Sequence, residues 1–331
     1  MSRRRRAAVR HVALTSLVLV ACGSRTGLFG DEDGPGGIII EADASVDVRV
    51  RFDASGFIDG EPPPIDARPP PVDVYRADCP DSDALLVYTI TNDHRLQSFD
   101  PAAGTFRDVG RISCPASPGA TPFSMAVDRK GTAYILFTDY KIYRASTSNG
   151  ACIETPYVPR QSNFARFGMG FVTIAGGPEE RLYVAGDDDN VGSGDPNGAR
   201  GIASIDPETF KLTVIGDDPR FDSAELTGTG DGRLFAFYRH TDGFGDSYIG
   251  EVDQESGFIR AERHLPTVEL GQGWAFAFWG GDFYMFHAPS SIGATLITRW
   301  RPADDTVETV ASAPPGTIIV GAGVSTCAPQ N

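Results

Sequence analysis

The chain has 331 residues, of which 41% are hydrophobic and 22% are charged, and its formal net charge is −15 at pH 7. Residues 1–21 hold five of the 29 basic residues and no acidic one, so the rest of the chain has a net charge of −20. Nucleic-acid binding and adsorption to an anionic bilayer both need clustered positive charge. The composition therefore argues against both kinds of partner, and the acidic surface is expected to favour solubility.

The N-terminus has the layout of an export signal. Residues 3–6 are all Arg, and a ten-residue apolar run follows at residues 12–21. A run of about ten residues is too short to span a hydrocarbon core of about 30 Å as a helix. It ends in the sequence LVAC at residues 19–22, which resembles the lipobox of bacterial lipoproteins. Residues 1–21 are therefore predicted to be a lipoprotein signal peptide.

That resemblance implies that Cys22 becomes the lipidated N-terminus after cleavage. Several acyl chains would anchor the protein stably in a membrane, whereas a single chain anchors it only marginally. Gly23 follows the cysteine, at a position where Asp would signal retention at the inner membrane. We therefore expect the protein to be anchored in the bacterial cell envelope, at the outer membrane, either facing the periplasm or exposed at the surface. The alternative is plain secretion, with Cys22 as the last residue of the apolar run.

Residues 22–78 differ in composition from the rest of the chain. Proline triplets occur at residues 62–64 and 69–71, aspartate recurs throughout, and large apolar residues are few. Such a segment buries too little apolar surface to offset the entropy of ordering it. We expect a disordered tether, extended by its own charge and partly polyproline-like, with an edge strand over residues 46–50 as the alternative for that short part.

From residue 84 onward an apolar strand recurs at a nearly fixed interval. Its marker positions are separated by 48, 49, 52 and 49 residues. They are Leu86, Tyr134, Tyr183, Phe235 and Tyr284. A period of this size is typical of a propeller or a solenoid, and near-continuous apolar runs fit strands that are covered on both faces.

Each unit is completed by further strands separated by Gly, Pro and Asp turns. A lighter strand precedes the marker strand in four units, as at residues 125–127, but the first unit has none. The missing strand is found at residues 318–325, after the fifth unit ends. The prediction is an all-β fold, a five-bladed β-propeller over residues 79–331 in which the C-terminal strand completes blade one.

The cysteines that follow Cys22 support this closure. Four remain, an even number in an exported chain, and two disulfides are expected. Cys79 precedes the first strand and Cys327 follows the closing strand, so ring closure favours their pairing. Cys114 and Cys152 then form the second bridge, between the exit loop of blade one and the outer strand of blade two. Zinc binding is the rival interpretation, and the absence of CxxC spacing argues against it.

Loops between second and third strands share one face of a propeller with the loops between blades. In this chain they carry polar residues from all five blades, which makes this rim the candidate ligand site. The candidates are Asn92, Asp93, His94, Asp139, Tyr140, Asp187, Asp189, Arg239, His240 and His287. A solvated rim without a ligand is the competing interpretation.

Two metal sites are conceivable on this rim. Residues 187–190 begin a long acidic loop that offers oxygen ligands for calcium, but Val191 breaks the EF-hand pattern. His94, His240 and His287 come from blades that are neighbours after closure, and three histidines are a conceivable metal set. We predict no resident cofactor or metal, with calcium at the acidic loop as the alternative.

Two further candidates lie at the start of inner strands. Glu225 is expected to face the channel mouth, where it would act either as a catalyst or as a salt-bridge partner. Trp274 lies at the equivalent place in blade five, where it would either stack on a sugar ring or plug the channel. No nucleophile elbow, phosphate-binding loop, dinucleotide fingerprint or zinc-protease motif occurs. No catalytic residue is therefore predicted, and an enzyme is the less favoured interpretation.

The turn at residues 128–131 and the Asp206-Pro207 step resemble those of the NHL, Vgb and YVTN-like bacterial β-propellers, over residues 84–327. With the lipobox and the tether, the chain is similar to a group of bacterial propeller lipoproteins. The resemblance transfers no catalytic residue, because Vgb-type lyases have seven blades and five repeats occur here. The favoured function is a membrane-anchored module that binds a protein or a glycan. The alternatives are a glycosidase or lyase in the funnel and a structural envelope lipoprotein without a ligand.

Overall fold

The structure is a computed structural model that describes residues 65, 79, 85–174, 177–186, 201–218, 221–240 and 246–331, with the backbone alone at 221 and 222. The predicted signal peptide, Cys22, most of the tether and the acidic loop lie outside these residues. Within them, no helix is long and apolar enough to cross a membrane. The described chain is all-β and forms five four-stranded antiparallel sheets.

Each sheet is one blade, and the innermost strand of each blade is named first. Blade one consists of β20 (Ile319–Val324), β1 (Val87–Thr91), β2 (Arg95–Asp100) and β3 (Thr105–Arg111). Blade two consists of β4 (Pro122–Val127), β5 (Thr132–Phe137), β6 (Ile142–Ser146) and β7 (Cys152–Glu154). Blade three consists of β8 (Phe167–Thr173), β9 (Glu180–Gly186), β10 (Gly201–Ile205) and β11 (Leu212–Gly216). Blade four consists of β12 (Phe221–Gly228), β13 (Leu234–His240), β14 (Ser247–Val252) and β15 (Ile259–Leu265). Blade five consists of β16 (Trp274–Trp279), β17 (Asp282–His287), β18 (Leu296–Arg301) and β19 (Thr306–Ser312).

The predicted five-bladed propeller and its closure are confirmed. The C-terminal strand β20 pairs antiparallel with β1, with Tyr88 opposite Gly323. Cys79 and Cys327 form the predicted bridge, with their Cα atoms 5.7 Å apart. The first and last residues of the ring are therefore joined both by a strand pair and by a covalent bond.

The second predicted disulfide is also present. Cys114 lies after β3, Cys152 begins β7, and their Cα atoms are 4.9 Å apart. The bridge joins the exit of blade one to the outer strand of blade two. Disulfides form and persist in oxidising compartments, so both bridges fit an extracytoplasmic location.

The predicted register is wrong in blade one. Tyr134 lies opposite Ala126 on β4 and Arg144 on β6. The equivalent position of blade one is Tyr88, between Gly323 and Ser98, and Leu86 precedes the strand. The error is two residues, which keeps side chains on the same face of a strand because their period is two.

The repeated turn has the structural role that its residues indicate. The Asp128 carboxylate accepts hydrogen bonds from the backbone N–H groups of Lys130 and Thr132, at 3.0 and 2.8 Å. Gly131 has φ +78°, in the left-handed region that glycine adopts readily. These residues build a tight turn, and they are not free to act as a site.

The hydrophobic core lies between neighbouring blades. Five clusters of buried side chains occupy the five interfaces among the described residues, and aromatic rings recur in most of them. Between blades two and three, for example, Tyr134 packs edge-on against Phe171 with ring centroids 5.0 Å apart. Burying one such side chain contributes about 1.5–3 kcal/mol, so the blades are held together mainly by these faces.

One residue of the predicted tether belongs to this core. Ile65 has 9% of its surface exposed and lies with Phe235 and Phe278, between blades four and five. The burial of Ile65 shows that a residue of the segment preceding the repeats packs against the propeller.

Candidate functional site

The central channel is closed at the level of Glu225. The hydroxyl of Ser124 in blade two donates a hydrogen bond of 2.8 Å to the Glu225 carboxylate in blade four. These blades are not neighbours, so the bond spans the channel. Both side chains are buried, with Glu225 5% exposed. At Gly168 the inner strands of blades three and four leave no room for a side chain, because a Cβ there would lie 2.0 Å from the carbonyl oxygen of Ala224.

This arrangement bears on chemistry inside the channel. Glu225 is predicted at the channel mouth, and the structure places it in a closed layer. It is the only carboxylate among the inner-strand side chains that the structure describes. A retaining or inverting glycosidase uses two carboxyl groups about 5–10 Å apart across its substrate. Within the described strands this pair is missing.

The rim of blade one is built by short local contacts. Thr91 donates a hydrogen bond from its hydroxyl to Asp93, and the backbone N–H of Asn92 donates to the Ile318 carbonyl at 3.0 Å. His94 has φ +73° and packs edge-on against Phe137 of blade two. Burial and the positive charge of Arg111 lower the pKa of His94, so its imidazole is neutral at pH 7.

The rim of blade two is held by Asp139. Its carboxylate accepts hydrogen bonds from the backbone N–H of Ser117 and from the Tyr143 hydroxyl, both at 3.0 Å. Burial raises the pKa of Asp139, but the hydrogen bonds outweigh burial and hold it below its usual range. The neighbouring Tyr140 lies 4.2 Å under the guanidinium of Arg160. Asp139 therefore organises the loop, and the Arg160–Tyr140 pair is the more accessible feature.

Blade four carries an aromatic stack at its rim, and only part of it is evident from the sequence. Tyr248 lies between His240 and His264, with ring centroids 3.9 and 4.8 Å away and nearly parallel planes. His240 also contacts the Glu262 carboxylate at 2.9 Å, and His264 contacts Asp246 at 2.8 Å. Arg239, adjacent to His240 on β13, is half-buried. The predicted His240 thus belongs to a group of four stacked rings, the fourth being Tyr238, whose two histidines each contact a carboxylate.

In blade five the structure does not place His287 on an exposed rim. His287 is 3% exposed, and its ring nitrogens contact the Glu269 carbonyl at 2.7 Å and the Thr298 hydroxyl at 2.9 Å. Burial lowers the pKa of His287. Trp274 lies opposite His287 on β16 and packs against the core between blades four and five. His287 is therefore occupied inside the blade, whereas Trp274 is half-buried.

The remaining candidates cannot be placed, because Asp187 and Asp189 lie outside the described residues. Within the described ranges, no group of three or more His, Cys, Asp or Glu side chains could hold a metal ion. The structure brings His94, His240 and His287 into three separate sets of contacts, and no shared site forms. Calcium at the acidic loop stays a prediction.

The opposite face carries a feature that the sequence does not reveal. Turns between first and second strands lie on this face, and a groove of about 1200 Å³ runs there between blades two and three. It is lined by basic, acidic and aromatic side chains, among them Arg144, Lys211, Tyr134 and Phe210. A second groove, of about 1040 Å³, lies between blades one and two. The only sequence signal is a charged residue, Arg144, at the third-strand position where the neighbouring blades have Ser98 and Ser204.

A half-buried carboxylate also lines the first groove. Glu180 accepts hydrogen bonds from the backbone N–H of Arg129, at 2.8 Å, and from the Thr326 hydroxyl, at 2.5 Å. Burial raises the pKa of Glu180 to about 7. The Arg129 side chain is itself buried and reaches Thr173 and Thr326. This cluster joins blades one, two and three where the ring is closed.

No family model matches the chain, and no curated protein matches it in sequence. Among solved structures, it is similar to a chain in the crystal structure of a nidogen/laminin complex, with 11% identity and a TM-score of 0.45 over 72% of this chain and 97% of that chain. It is also similar to Zg3597, a family 117 glycoside hydrolase produced by the marine bacterium Zobellia galactanivorans, with 11% identity and a TM-score of 0.46 over 62% and 75% of the two chains. Identities this low concern the fold alone, and TM-scores below 0.5 support no inference about function.

Proposed function

We propose that this protein is a propeller held by a lipid at Cys22 in the bacterial cell envelope, where its surface binds a protein or a glycan. The observation that carries the proposal is the closed channel, in which Ser124 and Glu225 join across the ring. A closed channel leaves the loop rim and the grooves between blades as the surfaces that can meet a partner. The two disulfides are consistent with an envelope location.

The anchor is tested by fractionation of cells that produce the full chain. The wild-type protein is expected in the membrane fraction, and Cys22→Ser is expected in the soluble or secreted fraction, because it cannot be acylated. A Cys22→Ser protein that still fractionates with membranes would contradict the anchor.

Binding is tested with residues 23–331, which lack Cys22 and keep Ile65. This protein is applied to a glycan array and cross-linked to partners in an envelope preparation, and the array is assayed for released sugar. Saturable binding without turnover supports the proposal. Turnover that Glu225→Gln abolishes indicates the funnel enzyme, and the absence of both indicates a structural lipoprotein.

A further inference from the structure

The cleft between blades four and five is filled by a residue from outside the repeats. Ile65 is 9% exposed and shares the cleft with Phe235 of blade four and Phe278 of blade five. Turns between first and second strands also line the cleft, so it opens on the face opposite the loop rim. The cavity that remains is only about 30 Å³, so Ile65 leaves little of the cleft unfilled.

The cleft between blades two and three is closed by a residue of its own blade. Strand register makes Tyr134 equivalent to Phe235, and Phe171 equivalent to Phe278. Phe210, from the turn between β10 and β11, stacks on Tyr134 with ring centroids 6.2 Å apart and is 3% exposed. Blade three thus supplies from its own turn an apolar side chain that covers the equivalent ring.

Blade five has an aspartate where blade three has this phenylalanine. Phe210 and Asp305 both lie in the turn between third and fourth strands, and both have φ +56°. Each follows the residue opposite the marker tyrosine of its blade, Ser204 or Arg299, by six positions. The two positions are therefore equivalent, and the turn of blade five offers a charged side chain instead of a ring.

The carboxylate of Asp305 is engaged outside the cleft. It accepts hydrogen bonds from the Arg263 guanidinium of blade four, at 2.7 and 3.0 Å, and from the Trp300 indole, at 3.0 Å. A charged group held in this way adds no apolar surface to the cleft. Ile65 therefore supplies the apolar side chain that the turn of blade five lacks.

The segment that contains Ile65 is held at a second point on the same face. Cys79 is bridged to Cys327 and lies 3.8 Å from the guanidinium of Arg129, in the turn between the first two strands of blade two. The C-terminal tail connects the two points, since it runs from Cys327 to Gln330, which lines the cleft beside Ile65. The chain before the repeats is therefore attached to the ring at Ile65 as well as at the disulfide.

We propose that Ile65 is the latch of a strap, residues 65–79, which sets the reach of the tether. The proposal rests on the lipid anchor proposed above. Ile65 lies 43 positions after Cys22, and Cys79 lies 57 positions after it. The free tether therefore ends at Ile65 when the latch is docked and at Cys79 when it is released. Release adds 14 residues, which correspond to at most about 50 Å of extended chain.

A single buried aliphatic side chain makes this latch reversible. Burial of an isoleucine favours the docked state by about tenfold to a hundredfold, so a pull along the tether or a competing aliphatic side chain can release it. The bridge between Cys79 and Cys327 keeps the ring closed when the latch opens. Release therefore lengthens the tether and leaves the propeller intact.

Hydroxyl-radical footprinting with mass spectrometry measures the docking in the protein of residues 23–331, which contains every residue that the structure describes. Ile292 in a rim loop is 51% exposed and Ile65 is 9% exposed, so Ile292 should be oxidised about fivefold faster in the wild type. Ile65→Ser should at least double the oxidation of Phe278 and Phe283, which are buried in the wild type. The matched control, Ile292→Ser, should leave the oxidation of both unchanged.

Small-angle X-ray scattering of the same three proteins measures the reach. The largest dimension should increase in Ile65→Ser and keep the wild-type value in Ile292→Ser. A third variant, Ile65→Val, keeps an aliphatic side chain and should behave as the wild type does in both assays. Thermal melting verifies that the variants are folded.

Equal oxidation of Ile65 and Ile292 in the wild type, or unchanged oxidation of Phe278 and Phe283 in Ile65→Ser, would overturn the latch. An unchanged largest dimension in that variant would overturn its role in reach. The anchor itself is tested separately by Cys22→Ser. If that protein still fractionates with membranes while the footprint is as expected, the lipid anchor is refuted and the docking of Ile65 stands.

Discussion

Removal of the bridge between Cys79 and Cys327 is the sharpest test of the closed ring. The perturbation is the double substitution Cys79→Ser with Cys327→Ser, and the matched control is Cys114→Ser with Cys152→Ser. The first bridge joins residues 248 positions apart, and the second joins residues 38 positions apart. On chain-entropy grounds, closing these loops should stabilise the fold by about 5.5 and about 3.9 kcal/mol.

The expected result is that the ring-closing pair costs more, by about 1.6 kcal/mol. Both proteins should still fold, because β20 stays hydrogen-bonded to β1 when the bridge is absent. Equilibrium unfolding in urea, followed by tryptophan fluorescence, gives the free energy of unfolding for each variant and the wild type. The slope of the unfolding free energy against urea concentration must be compared between the variants as well, because a bridge also compacts the unfolded chain and so changes that slope.

Equal losses in the two variants, or a larger loss in the Cys114–Cys152 pair, would refute this reasoning. A native stability of about 5–15 kcal/mol is usual for a domain, so loss of the first bridge removes a large part of it. Low temperature and a stabilising osmolyte keep such a variant folded for measurement.

Further results are expected at two positions. Burial raises the pKa of Glu180 to about 7, above its unfolded value of 4.5. The contribution of this group to the free energy of unfolding is present below pH 4.5 and is lost as the pH rises through 7, a loss of about 3 kcal/mol between pH 4 and 8. In urea titrations, the stability of Glu180→Gln relative to the wild type should therefore increase by about 3 kcal/mol over this range. An identical pH profile in that variant would contradict the assignment. Gly168→Ala should lower stability by about 3 kcal/mol in thermal melts, because the added Cβ meets the Ala224 carbonyl. The control is Gly177→Ala, whose Cβ has no neighbour closer than 4.0 Å and which should change stability by less than about 0.5 kcal/mol. Equal melting of the two alanine variants would contradict the tight packing of the inner strands.

The fold was predictable because each blade of a propeller repeats the same strand pattern, so the sequence shows a fixed period. The recurrence of Tyr134, Tyr183 and Tyr284 specified the blades, and the strand left over after blade five specified the closure. The register of blade one was not predictable from local pattern. Leu86 belongs to an equally apolar run, and only the pairing of Tyr88 with the distant Gly323 fixes the position.

The candidate site residues were predicted from their position in loops, which indicates that a side chain is exposed but does not show which contacts it makes. Asp139 and His287 are polar residues in or beside rim loops, but hydrogen bonds to the loops between blades occupy both. Glu225 closes the channel by its hydrogen bond to Ser124. The two residues lie 101 positions apart in sequence, so the contact could not be predicted from either segment alone. Contacts between residues so far apart are set by the ring, and no local pattern encodes them.

The export route that the proposed lipid anchor implies would give the joined ends of the ring a further consequence. A protein secreted from its N-terminus delivers Cys79 first and Cys327 last, and Cys114 and Cys152 reach the oxidising compartment in between. Oxidation in order of arrival would pair Cys79 with Cys114, since the native partner is still 248 residues behind. Thiol–disulfide exchange must then correct this pairing, on a time scale of seconds to hours. The biogenesis of this propeller should therefore depend on a disulfide isomerase more strongly than that of a chain whose cysteines pair consecutively.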